Sequence, residues 1–77
     1  MNKLIKLIEQ EFEELEKGII FPNTNLSDVL NLDSMSILVL IICIEDEYGV
    51  VLQDDEIKQS RTFEDLNNLI IQKTIVN

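Results

Sequence analysis

The segment from Ser34 to Tyr48, SMSILVLIICIEDEY, sets the tightest limit on what this chain can become. Its unbroken apolar run, Ile37 to Ile44, is far shorter than the roughly 18 residues of a membrane-spanning helix, so protein has to bury it. The segment has helical rather than alternating periodicity, Ser34 reads as an N-cap, and Gly49 stands where a left-handed glycine ends a helix. At roughly 100° per residue, Ile37, Leu40, Ile41, Ile44 and Tyr48 share one sector and are expected to face a core. Ser34, Met35, Leu38, Val39 and Ile42 fall on a different side, with Glu45 and Asp46 further along it. Either the helix is buried almost all round, or an apolar stripe beside Ser34 is covered by a partner. So few other elements are available to surround it that the partner reading is favoured.

Those other elements are also helical. Leu4, Ile8, Phe12 and Leu15, with Ile5 beside them, predict an amphipathic helix near 3–16, its other faces filled by glutamates and its end marked by Gly18 and Pro22. Residues 17–33 form a long connection that is too apolar to float free, expected to be pinned to the core with a helical turn starting at Ser27. Val50, Val51 and Leu52 return to the core, Asp54 to Lys58 fits one helical turn with acids at its N-terminal end, and Thr62 to Asp65 fits a capping box. That box opens a last helix with Phe63, Leu66, Leu69 and Ile70 on one face. The expected fold is all-α: a small four-helix bundle with a long first loop and a short third helix, residues 1–77 forming a single domain.

Charge and missing residue types narrow the function. With 6 Lys+Arg against 15 Asp+Glu, the net charge of −9 disfavours nucleic-acid binding and favours a partner with a basic surface. A hydrophobic content of 45% argues against acidic disorder. The chain has no His and one cysteine, Cys43, so it holds no Ser–His or Cys–His nucleophile pair, no Cys/His zinc site and no internal disulfide. Cys43 reads as a semi-buried filler, and Asp54-Asp55-Glu56 lacks the spacing of a calcium loop. The N-terminus shows no secretory signal. A cytoplasmic monomer without membrane insertion and without a metal site is the expectation.

A serine hydroxyl at a helix N-terminus sits where local N–H groups and the helix dipole favour an anion, so a phosphodiester on Ser34 would be stabilised there. By itself such a serine is more commonly a plain cap. Its surroundings carry more: Leu32-Asp33-Ser34-Met35 resembles the Asp-Ser-Leu/Met signature of acyl carrier proteins, whose serine receives 4′-phosphopantetheine. Glu45-Asp46-Glu47-Tyr48-Gly49-Val50 resembles the acidic segment and aromatic-Gly-hydrophobic triplet ending the same helix in that family, with Tyr48 14 positions after Ser34. Asp54–Ile57 and Thr62–Asp65 match two further family features, so the resemblance covers nearly the whole chain.

The resemblance implies a carrier, not an enzyme. A phosphopantetheinyl transferase would move the arm from coenzyme A to Ser34, Asp33 supplying the carboxylate that helps in that reaction's magnesium site. The arm's thiol would carry acyl groups to acyl-loading, elongating or acyl-transferring enzymes of fatty-acid, polyketide or related lipid metabolism, tethering raising their effective concentration. Met35, Leu38, Val39, Ile42, Glu45 and Asp46 are the expected docking surface. Val39 and Ser36 depart from the pattern, since fatty-acid carriers commonly have acids there, and this points to a specialised pathway. An aminoacyl or peptidyl carrier is an alternative, as is an unmodified acidic helical interaction module.

Overall fold

The computed structural model describes residues 1–76, with side chains described through Thr74. Five helical segments follow one another: α1 Asn2–Glu11, α2 Leu26–Val29, α3 Ser34–Tyr48, α4 Asp54–Gln59 and α5 Phe63–Val76. Among the described residues the only extended pairing is an isolated bridge between Asn25 and Thr62, so the all-α expectation holds. The short α2 lies within the long first connection, one residue earlier than the turn expected at Ser27, and α4 is the expected short helix.

One core joins every segment. Leu4, Leu7 and Ile8 of α1, Leu26 of α2, Ile37, Leu40 and Ile44 of α3, Ile57 of α4 and Phe63, Leu66 and Ile70 of α5 are all buried. Removing a large side chain such as Phe63, which exposes nothing to solvent, costs about 3–5 kcal/mol in sites of this kind. The segment between α3 and α4 alternates as a short extended return should: Val50 and Leu52 go inward while Val51 is exposed.

α1 stops four to five residues before the expected end near 16. Phe12 leaves helical geometry at φ −110, ψ 80, its N–H still bonded to the Ile8 carbonyl. Continuing the helix would stack Glu9 on Glu13 and put several carboxylates at the negative end of the helix dipole, and both effects oppose it. The chain turns instead. Phe12 stays buried, Leu15 packs against the core from outside the helix, and the Glu9 carboxylate accepts the Gly18 N–H at 2.9 Å. Gly18 has φ 86, a left-handed conformation that glycine adopts without steric cost.

The long connection is pinned by backbone as well as by Ile20, Leu26 and Leu30, which are buried. The first N–H groups of α5 need acceptors outside the helix, and the connection supplies them: Phe63 N–H donates to the Thr24 carbonyl and Glu64 N–H to that of Pro22. In return Leu26 N–H donates to the Arg61 carbonyl at 2.9 Å. The expected capping box is present, with Asp65 N–H donating to Thr62 Oγ1 and Thr62 N–H to Asp65 Oδ2, both at 3.1 Å. This clasp fixes the chain just upstream of α3. Lys73 forms a second clasp, donating to Glu56 Oε1 at 2.7 Å and to the Val51 carbonyl at 3.1 Å.

Candidate functional site

α3 starts and stops where the sequence placed it, but its cap is not Ser34. Asp33 is the N-cap: at φ −82, ψ 174 its Oδ1 accepts the Ser36 N–H at 2.8 Å and its carbonyl accepts that of Ile37. Ser34 is the first residue inside the helix. A carboxylate caps as well as a hydroxyl and adds a full charge at the positive end of the dipole, so Asp33 takes the role. Asn31 steadies the other carboxylate oxygen through a long contact of 3.4 Å from Nδ2. At the far end Gly49 has φ 70 and returns its N–H to the Glu45 carbonyl, as the glycine stop requires.

Relieved of capping, the exposed Ser34 hydroxyl makes no hydrogen bond among the described residues. The backbone N–H groups of Ser34 and Met35 likewise have no acceptor among the described residues. A tetrahedral anion on Ser34 Oγ would meet these two donors and the dipole of a helix 15 residues long. The residues present therefore fit a phosphodiester-linked group. When bound, phosphopantetheine supplies a terminal thiol that holds acyl groups as thioesters.

The rest of α3 presents two faces, rotated slightly from the expected ones. Ile37, Leu40 and Ile44 are buried as predicted, but Cys43 joins them while Ile41 and Tyr48 are only half-buried. Packing of α3 between α1 and α4 shifts the inward sector toward Cys43. Val39, expected on the open side, is drawn in with it and packs half-buried against the core. Met35, Leu38 and Ile42 remain open at 69%, 51% and 58% exposure, with Glu45 and Asp46 exposed beyond them. Five of the six expected docking residues thus share an exposed face with Ser34, and Val39 lies at its edge.

Burial pushes the Cys43 thiol up to about 11, with the Glu11 carboxylate adding to the effect, and its Sγ–H donates to the Leu40 carbonyl. Cys43, expected to be a semi-buried filler, is instead a buried member of the core. The Tyr48 hydroxyl is enclosed without a hydrogen-bond partner among the described residues and is likewise raised, chiefly by burial, while Lys3 lies 4.6 Å from the ring centroid. No group of three or more potential metal-ligating side chains forms among the described residues. Nor is any described helix long and apolar enough to cross a membrane.

Sequence reading passed over Asn31, which contacts the Asp33 carboxylate, and the cations Lys58 and Arg61, which border a groove beside Leu32. Their signal was faint: isolated polar residues in two segments that backbone bonds such as Leu26–Arg61 and Phe63–Thr24 bring together.

Comparison with known proteins agrees with this geometry. The family model described as the phosphopantetheine attachment site matches residues 2–70. The acyl carrier protein of Lactobacillus acidophilus is 38% identical over 64 residues, covering 83% of this chain and 79% of its own. That of Thermobifida fusca is 31% identical over 70 residues, 91% of this chain and 87% of its own. That of Myxococcus xanthus is 28% identical over 67 residues, 87% of this chain and 84% of its own. No solved structure matches the chain. Over nearly its whole length, then, this chain belongs to the acyl carrier protein family, a carrier rather than a catalyst, whose cofactor is covalently attached 4′-phosphopantetheine.

Proposed function

We propose that Ser34 is the residue that takes the arm and that residues 1–77 act as one carrier unit. The observation that carries this reading is the division of labour at the start of α3. Asp33 caps the helix, which leaves the adjacent hydroxyl exposed with two open N–H donors beside it. A serine engaged in capping would have one lone pair of its oxygen occupied and its side chain held toward the helix; Ser34 does not. Asp33 keeps one carboxylate oxygen with only the long Asn31 contact, so it is placed to assist the magnesium ion of a phosphopantetheinyl transferase while still capping.

The pathway we infer is a specialised one rather than housekeeping fatty-acid synthesis, whether the cargo is that of polyketide or lipid modification or an aminoacyl group. Ser36 and Val39 stand where fatty-acid carriers commonly have acids, and the exposed first half of α3 offers Met35, Leu38 and Ile42. Partner enzymes meeting this face gain most from desolvating those apolar side chains, while Glu45 and Asp46 orient the encounter from one end. A monomer fits a net charge of −9, which opposes association of two copies, and we place it in the cytoplasm as its relatives' carrier role suggests.

Incubation with coenzyme A and a broad-specificity phosphopantetheinyl transferase tests the assignment. The parent is expected to gain the mass of one arm and Ser34→Ala none. An Ala variant that is fully modified overturns the assignment.

A further inference from the structure

The groove beside the proposed attachment point has no carboxylate among its lining residues, in a chain that carries 15 of them. It has a volume of about 330 Å³ and is bordered by Asn25, Ser27 and Leu32 on one side and by Lys58, Ser60 and Arg61 on the other. Two of the chain's six cationic side chains therefore meet at one polar concavity. In a chain with 15 carboxylates, Arg61 makes no ion pair and no side-chain hydrogen bond among the described residues. Its backbone is nonetheless fixed from both sides: the carbonyl accepts Leu26 N–H at 2.9 Å and the N–H donates to Asp65 Oδ2 at 3.3 Å. Among the described residues, Lys58 has one long, exposed contact, with the Asp54 carboxylate at 3.7 Å.

We propose that this groove receives the terminal carboxylate of an acyl group carried on the Ser34 arm, so that the cargo belongs to the carboxyacyl class. The inference rests on Ser34 being the attachment site. Leu32 is two residues from Ser34, which puts their Cα atoms within about 7 Å of each other. The arm, a phosphate followed in series by pantoyl, β-alanyl and cysteamine units, is longer than that, so its loaded end can fold back. Its phosphate is already served by the α3 N-terminus, which leaves Lys58 and Arg61 for a second anion. A guanidinium offers a carboxylate two parallel N–H donors, and the flanking Asn25 and Ser27 add polar contacts. With Leu32 its one apolar wall, the groove suits an alkyl chain poorly.

The test compares two cargoes that differ only in the carboxylate. Amide-linked succinyl and 4-methylpentanoyl groups have the same number of heavy atoms, an isopropyl group replacing the carboxylate in the second. Each is installed on the ¹⁵N-labelled protein by a phosphopantetheinyl transferase, with intact mass confirming loading. The succinyl form is expected to shift the amide resonances of Ser27, Lys58 and Arg61 several-fold more than the neutral form. The difference should shrink in moderate salt and vanish in the K58Q/R61Q double variant, whose spectrum elsewhere stays folded. Equal shifts for the two cargoes overturn the proposal, as do shifts already complete in the unacylated holo-protein, which would assign the groove to the arm's phosphate. A missing mass increment overturns the Ser34 reading instead, so the two failures are told apart.

Discussion

Asp33 caps α3, and substitution separates that duty from the proposed assistance to the transferase's metal. Asp33→Ala removes both the 2.8 Å bond to Ser36 N–H and the charge, whereas Asp33→Asn keeps a good capping oxygen and removes only the charge. Loss of an N-cap costs about 0.5–2 kcal/mol, and this cap is exposed, so the bond contributes about 1 kcal/mol. A carboxylate at the N-terminus of α3 adds about 0.3–1 kcal/mol through the helix dipole. Both variants change the net charge equally from −9, so relief of self-repulsion cancels between them. The Ala variant should therefore lose about 1–2 kcal/mol and the Asn variant about half of that or less. In a domain of this size the gap between them corresponds to roughly 4–8 °C in Tm. Urea and thermal unfolding, followed by far-UV circular dichroism, measure it directly. Modification rate is read in parallel by mass with excess coenzyme A. If Asp33 assists the transferase's metal through its charge, both variants slow together despite their different stabilities. Equal stability for Ala and Asn would refute the capping argument, and an Asn variant modified at the parent rate would refute the catalytic assistance.

Three further outcomes follow from particular contacts. Lys73 holds the Glu56 carboxyl below its ordinary value of 4.5, through a direct hydrogen bond first and its charge last, so this pair stabilises the fold above that pH and is lost as pH falls through the lowered value. Urea midpoints of the parent should thus fall more steeply below about pH 4.5 than those of Lys73→Met, and parallel curves would show that the clasp is not linked to Glu56 titration. The Cys43 thiol, pushed up to about 11, should resist iodoacetamide at neutral pH in the folded holo-protein, so that label enters only the arm, and two labels without denaturant would contradict its burial. Ile42→Ser, at an exposed position, should change stability by no more than about 0.5 kcal/mol yet slow turnover by a partner enzyme, whereas Val39→Glu should cost about 1 kcal/mol or more because that side chain packs against the core. Full partner turnover by a folded Ile42→Ser would remove the apolar stripe from recognition.

Much of this protein is decided by local chemistry that any segment of the chain carries with it. Gly49 can end α3 because left-handed backbone is open to glycine, and the Thr62–Asp65 box pairs groups only three residues apart. The apolar spacing of α3 and α5, too, reports a face before any partner element is known. The Asp33-Ser34-Met35 signature and its spacing to Tyr48 pointed to the family in the same way. Three things waited for the tertiary structure. Which edge of α3 turns inward depends on α1 and α4 packing against it, which drew Cys43 and Val39 toward the core and left Met35, Leu38 and Ile42 outside. The end of α1 and the Lys58–Arg61 groove depend on contacts between residues distant in sequence: Glu9 with Gly18, Leu26 with Arg61. Periodicity records how often a residue type recurs along one helix; it holds no term for where the next helix lies.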